Sequence, residues 1–184
     1  MVDKERLKPM SDIGFRAMVW IFKLVDLFGG PGIYLLKVPL KQGMTVVDYG
    51  CGPGRYTLPM AKLVGPEGKV FAVDIQPLAI NMVKELAEHE DLVNIEVALV
   101  DSYSTGIEDS TADLLLLSDT LHMIEDCNKL LREIHRVLKH DGILFMNPGH
   151  MKLSKAIEIV ESSNIFTIVE CKGVDMIVTP KIPY

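Results

Sequence analysis

Val46-Val47-Asp48-Tyr49-Gly50-Cys51-Gly52-Pro53-Gly54-Arg55-Tyr56-Thr57 is the stretch whose reading decides the fold. Two β-branched apolar residues lead into an acid, and three glycines then alternate with other residues. A helix-like pattern from Tyr56 to Val64 follows at once. This reads as a buried strand that turns sharply into a helix. The glycines permit positive φ and let a ligand lie against the backbone with no Cβ in the way. The dinucleotide pattern G-x-G-x-x-G needs a glycine at position 55, where Arg55 stands instead.

The length of 184 residues suits one domain that buries about 70% of its unfolded surface. With 48% hydrophobic and 24% charged residues, the chain has the make-up of a globular α/β protein. A net charge of −6 speaks against nucleic acid as main partner, because phosphate neutralisation needs a basic face. No basic segment precedes an apolar run and a small-residue cleavage site, so no signal peptide is expected. No apolar run reaches the roughly 18 residues of a membrane span. Cys51, Cys127 and Cys171 are odd in number and lack metal-site spacing, which predicts reduced thiols in a cytoplasm and no metal.

Along the chain, a polar tail from Met1 to Lys8 precedes a helix from Phe15 to Phe28, capped by Ser11 or Asp12. Arg16, Lys23 and Asp26 fall near one side of it, and the remainder is apolar almost all round. Such a helix is expected to be mostly covered, as fixed packing, as a lid over a site, or as a dimer contact. Ile33 to Leu40 reads as a short element after Gly29-Gly30-Pro31-Gly32. Strand two runs from Lys69 to Val73 and ends at Asp74; Pro77 opens a helix through Ile80, Val83, Leu86 and Ala87. Strand three, Ile95 to Val100, ends at Asp101-Ser102, and strand four, Ala112 to Leu117, ends at Ser118-Asp119. Asp126 caps a helix through Leu138 that stops at Asp141-Gly142, before strand five from Ile143 to Met146. A helix from Ser154 to Ser162 follows. Phe166 to Glu170 and Asp175 to Thr179 are joined too closely for a crossover and should pair antiparallel.

Strands alternating with helices predict a Rossmann-like, doubly wound α/β fold: a mostly parallel seven-stranded sheet with an antiparallel last strand and helices on both faces. Residues 1–40 would form a helical cap on a core of residues 41–184, all within a single domain. Asp48, Asp74 and Asp101 each fall at or beside the carboxyl end of a strand, the edge where open α/β sheets bind ligands. Any one of them has a plainer reading as a helix cap. Three in phase with three strands, behind this glycine loop, favour a binding edge.

From about Thr45 to Thr179 the chain resembles the class I S-adenosylmethionine-dependent methyltransferases. The loop Asp48 to Gly54 is similar to their motif I, with Asp74 as the acid after strand two and Asp101 as the acid after strand three. Leu130 to Lys139 with Asp141-Gly142 resembles the helix and turn before strand five, and the final hairpin resembles their antiparallel seventh strand. The closest likeness is to the small-molecule branch that includes quinone-type methyltransferases. The resemblance implies S-adenosylmethionine as cofactor and S-adenosylhomocysteine as product. Asp48, Tyr49, Gly50, Cys51, Gly52, Gly54 and Thr57 would then form the loop side of the cofactor site. Asp74 and Ile75 would face the ribose, Asp101 and Ser102 the adenine, and Ser118 the strand-four edge.

The acid–Pro-Pro-aromatic signature of amino-directed nucleic-acid methyltransferases is absent, and Ser118-Asp119-Thr120-Leu121-His122 stands in its place. With no large insertion, residues 1–40 and loops such as Asn147 to Met151 must shape the acceptor pocket. His122 follows strand four on the ligand edge, and an imidazole suits a general base near neutral pH. The alternative is a histidine that packs on the cofactor without moving a proton; His150 is a second candidate. The expectation is therefore a cytoplasmic methyltransferase acting on a small molecule, with a homodimer as one expected assembly. A non-catalytic cofactor-binding module, or a polyamine-synthase-like enzyme in the same fold, is the rival.

Overall fold

The computed structural model describes residues 7–27 and 29–181. Phe28, placed at the end of the predicted first helix, and residues 1–6 of the predicted polar tail lie outside the described residues. The elements follow in the order α1 (Asp12–Asp26), α2 (Pro31–Leu35), β1 (Thr45–Tyr49), α3 (Thr57–Val64), β2 (Lys69–Asp74), α4 (Pro77–His89) and β3 (Ile95–Leu99). After them come β4 (Ala112–Ser118), a single 3-10 turn (Leu121–Met123), α5 (Cys127–Val137), β5 (Leu138–Asn147), α6 (Leu153–Ser162), β6 (Phe166–Lys172) and β7 (Asp175–Pro180).

The sheet has seven strands in the order β3-β2-β1-β4-β5-β7-β6. β1 to β5 pair in parallel, and β7 is antiparallel to both β5 and β6, as the short link between the last two strands requires. Side chains alternate across the sheet. Leu115 and Leu117 of β4 pack on one face with Leu130, Leu131 and Ile134 of α5 and Ala156 and Val160 of α6. Leu114 and Leu116 pack on the other face with Met60, Ala61 and Val64 of α3 and Leu35 of α2. Strand order reverses between β1 and β4, so their carboxyl ends flank the crevice of a doubly wound sheet.

Two expectations are revised. The fifth helix ends at Val137 and not at Asp141: β5 begins at Leu138, opposite Ala112, and Lys139 to Gly142 bulge out before Ile143 pairs with Leu114. The first helix is not mostly covered. Only Phe15 and Val19 of α1 are buried, packed with Ala79 of α4, while Ile13, Trp20, Ile21, Leu24, Val25 and Leu27 are exposed.

Candidate functional site

At the carboxyl edge, the loop after β1 folds back over the end of β2. The N–H groups of Gly50 and Cys51 donate to the Val73 carbonyl at 2.8 and 3.1 Å. Gly52 sits at a φ of +51° with open space where a Cβ would stand, and it faces a cavity. Gly54 serves packing instead: a Cβ there would come within 2.7 Å of the Leu58 side chain and 3.1 Å of Val83. Asp74, at the end of β2, accepts from the backbone N–H of Gly52 and of Gln76, both at 2.8 Å. Burial pushes its carboxyl above the ordinary range, against the pull of those N–H groups.

The cavity measures about 1030 Å³. Of the residues predicted from sequence, Tyr49, Gly50, Cys51, Gly52, Asp74, Ile75, Ser118 and His122 line it. Asp48, Gly54, Thr57, Asp101 and Ser102 are not part of its lining. Asp48 is buried behind the loop, where it accepts from the Thr57 hydroxyl at 2.6 Å. Burial pushes the Asp48 carboxyl up to about 7, with the Thr57 hydrogen bond opposing and the Asp74 charge adding. Asp101 is exposed and its carbonyl accepts from the Leu7 N–H, while Val100 beside it reaches the cavity. Burial, then the charges of Asp48 and Asp74, hold the Cys51 thiol well above its usual pKa, so it stays protonated and the backbone carries its part in the loop.

Opposite the glycine loop stands a polar wall. Asp119 follows β4 with a φ of +54°, and its carboxylate lies 3.6 Å from His122 Nδ1. That separation is too long for a hydrogen bond, and both atoms are buried without a partner, as is the Tyr49 hydroxyl. Three orphaned polar atoms around one cavity fit a bound ligand better than an apolar void. The His122 and His150 rings meet edge to face with centroids 5.2 Å apart. Gly149 makes this possible, since a Cβ there would collide with Asp119 and fall 2.9 Å from His122 Nδ1.

The third side is a network that the sequence pattern did not disclose. Buried Asp175 of β7 accepts from Asn147 at 2.6 Å, Lys37 at 3.1 Å and the Tyr34 hydroxyl at 3.3 Å. Ser118 donates to the Tyr34 oxygen at 3.4 Å, and the Tyr34 and Tyr56 rings lie 5.1 Å apart. Burial raises both phenols above their ordinary pKa, so they remain protonated donors. An acid opening an otherwise apolar strand was the one sequence signal for Asp175.

The roof is α1 with α2. Phe15, Met18, Ile21 and Phe22 of α1 and Tyr34 of α2 line the cavity. Arg55, from the glycine loop, grips Asp26 at the end of α1 with contacts of 2.8 and 2.5 Å, and its guanidinium lies over the rings of Phe22 and Tyr56, 5.3 Å from each. Gln76 Nε2 donates to the Met10 carbonyl at 2.8 Å, tying the start of the roof to α4. The cavity is thus lined on one side by the glycine loop and Asp74 and on another by aromatics, Ser118, Asn147 and His122.

Comparison with known proteins places the fold and the family. The chain is 32% identical over 124 residues to the ubiquinone/menaquinone biosynthesis C-methyltransferase UbiE of Escherichia coli O1:K1, an alignment covering 65% of this chain and 49% of that protein. The chain therefore spans about half the length of the curated relatives it matches. Among solved structures, a SAM-dependent methyltransferase from Aquifex aeolicus superposes with a TM-score of 0.83 at 23% identity, covering 94% of this chain and 100% of that one. A putative S-adenosyl-L-methionine-dependent methyltransferase from Methanococcus maripaludis gives 0.79 at 18% identity, with coverage of 99% and 98%. These two likenesses show a common fold. The match of the methyltransferase domain family runs over residues 40–173, from just before β1 into the turn between β6 and β7. It takes in the glycine loop, Asp74 and the Asp119–His122 wall, and on that ground the chain belongs to the class I methyltransferase domain family.

Proposed function

We propose that this chain transfers a methyl group from S-adenosylmethionine to a small-molecule acceptor held under α1 and α2. The observation that carries the reading is Asp74: a partly buried carboxylate at the sheet edge, fixed by two backbone N–H groups and facing the cavity. A carboxylate offers about four acceptor sites, so two remain for a ribose diol. Gly52, with no Cβ near the cavity, leaves room for a ligand backbone to lie close, and the Tyr49 hydroxyl gives a further group for it to satisfy. When bound, S-adenosylmethionine supplies a sulfonium methyl that is electrophilic without protein activation.

The protein's share is alignment, exclusion of water and proton handling. Phe15 and Phe22 form a dry roof. Tyr34 and Ser118, oriented through Asp175, have their hydroxyl protons engaged and present oxygen lone pairs that accept from a hydroxyl of the acceptor. His122 takes the proton that the acceptor loses, and Asp119 at 3.6 Å stabilises the resulting imidazolium. The similar Escherichia coli protein is described as a C-methyltransferase, which supports carbon as the methylated atom; an activated ring carbon must shed a proton after methylation. Residues 1–40 act as the cap and residues 41–184 as the core. The three unpaired cysteines support a reducing, cytoplasmic setting.

Calorimetry with S-adenosylhomocysteine tests the reading. One ligand should bind per chain, and Asp74→Ala should weaken it by about ten- to a hundredfold, the loss of charge-assisted hydrogen bonds. Because Asp74 also holds Gly52 and Gln76, the variant should lose roughly 1–2 kcal/mol of stability as well. No binding by the parent chain, or binding of NAD in its place, would overturn the proposal.

A further inference from the structure

α1 carries two apolar stripes. The inner one, Phe15, Met18, Val19 and Phe22, faces the cavity and α4. The outer one, Ile13, Ala17, Trp20, Leu24 and Leu27, repeats at alternating steps of four and three residues and is exposed along its whole length. Trp20 is 68% and Ile13 84% accessible. α2 adds Ile33, and Leu36 follows directly at 85%. An uninterrupted apolar stripe of this size on a helix surface marks an interaction face.

Charge singles out the occupant. Residues 7–41 hold five lysines and arginines against two acids, whereas residues 42–184 hold 12 against 21. Asp26, one of the two acids, is already paired with Arg55. Arg16 and Lys23 are exposed on α1, with the Lys23 ammonium 5.8 Å from the Trp20 ring centre. α1 itself carries Arg16 and Lys23 against Asp12 and the paired Asp26, and exposed Lys8 and Lys41 flank α1 and α2. An aromatic-bearing amphipathic helix thus sits in a net basic segment on an acidic body, the make-up of an element that lies in the interface of an anionic bilayer. A two-fold contact through the same stripe would gather two copies of Arg16 and Lys23 at one interface, with few acids to offset them.

We infer that the outer face of α1 and α2 docks on an anionic lipid surface and brings the cavity mouth to the bilayer. Ile21 is exposed and also lines the cavity, so it marks the rim where the docked face meets the opening. An acceptor with an apolar tail then enters from the lipid past Ile21, its reactive head reaching Ser118 and His122 while the tail stays in hydrocarbon. That route rests on the methyl-transfer reading, but the docking itself does not.

The test is co-sedimentation with vesicles of phosphatidylcholine and phosphatidylglycerol in equal parts, read beside the emission of Trp20, the only tryptophan. The chain should partition onto the mixed vesicles with a blue shift of Trp20, and bind roughly tenfold or more weakly to phosphatidylcholine alone. The double variant Ile13→Glu, Leu24→Glu should lose partitioning by a similar factor and keep its affinity for S-adenosylhomocysteine. Failure of the parent to bind mixed vesicles, or equal binding by the variant, would overturn the inference. So would a dimer in lipid-free buffer that the variant abolishes, because a second copy would then cover the face. Parent protein that binds vesicles and not S-adenosylhomocysteine would sink the enzymatic reading alone.

Discussion

Four consecutive leucines of β4, Leu114 to Leu117, have no accessible surface, whereas Ile13, Trp20, Leu24 and Leu27 of α1 are each more than half exposed. β4 is packed from both sides of the sheet, so each of these leucines has a partner. α1 is held by a small apolar cluster around Phe15 and Val19, by the Arg55–Asp26 pair and by the Gln76–Met10 hydrogen bond. The same apolar residue types therefore do different work. In β4 they stabilise the fold, and on α1 they are kept available. Binding groups sit where the two regions meet, with Asp74 and Gly52 rigid on the sheet side and Phe15 and Phe22 on the thinly attached side.

The sharpest way to break that contrast is to truncate one leucine in each region. Leu115→Ala should cost about 2–5 kcal/mol, the transfer loss plus the cavity left in a core that cannot collapse. Leu24→Ala should stay within about 0.5 kcal/mol, as substitutions on an open surface do. Urea denaturation of both variants measures the difference. Should Leu24→Ala prove as costly as Leu115→Ala, the outer face of α1 is covered in solution and the two regions are alike.

His122 stands between the regions and tests whether the wall does chemistry or only shapes the cavity. His122→Gln should lower turnover by roughly a hundredfold while S-adenosylhomocysteine affinity holds, if the imidazole moves a proton. A modest, parallel fall in both quantities would assign it to packing on the cofactor.

Much of the sheet region is legible in the sequence because its determinants are local. Alternating apolar periods, glycines after β1 and acids at the ends of β1 and β2 are each set by residues within one strand–loop–helix unit. The limits of that legibility are tertiary. The end of α5 cannot be read, because the carbonyls of Arg136 and Val137 are capped by the N–H groups of Ser110 and Thr111, more than twenty positions away, and Leu138 is recruited into β5. Tyr34 meets Asp175 across 141 positions, so no spacing announces that wall of the site. The exposure of α1 is hidden for another reason: an apolar stripe reads the same whether or not something covers it. Trp20 illustrates this, since it points away from the cavity and reports on the outer face and not on bound ligand.

Asp48 sharpens the picture of the rigid region through pH. Its folded pKa, about 7, lies above its unfolded value of 3.8, so the native state holds a proton that the unfolded chain releases. That contribution to stability is fully present below about pH 4 and is lost as pH rises toward 7. Asp48→Asn keeps an acceptor for the Thr57 hydroxyl and has no charge to bury. Relative to the parent, the variant should gain on the order of 3 kcal/mol between pH 4.5 and 7.5, followed as the difference in Tm. A difference that stays flat across that window would mean the carboxylate is ionised in the fold at neutral pH.

The smallest effect expected is at the joint itself. Arg55 belongs to the glycine loop and Asp26 to the end of α1, so their ion pair ties α1 to the rigid region, while Lys37 ties the segment after α2 to Asp175. Both groups are partly solvated, which limits what the pair adds to global stability to roughly 0.5–1 kcal/mol. Its local influence is larger, because α1 has little else to hold its carboxyl end: Leu24, Val25 and Leu27 are all exposed. Asp26→Ala should therefore leave Tm nearly unchanged while amide exchange in α1 quickens several-fold, as expected of an element opening below the global unfolding energy. Turnover should fall more than S-adenosylhomocysteine affinity, since Asp74 and the glycine loop remain in place while the dry roof loosens. Arg55→Ala should reproduce this pattern, and the double variant should be little worse than either single one, because both remove the same contact. Exchange in α1 that is equally slow in parent and variants would show that Phe15 and Val19 hold the roof unaided, and the roof would then be as fixed as the sheet beneath it.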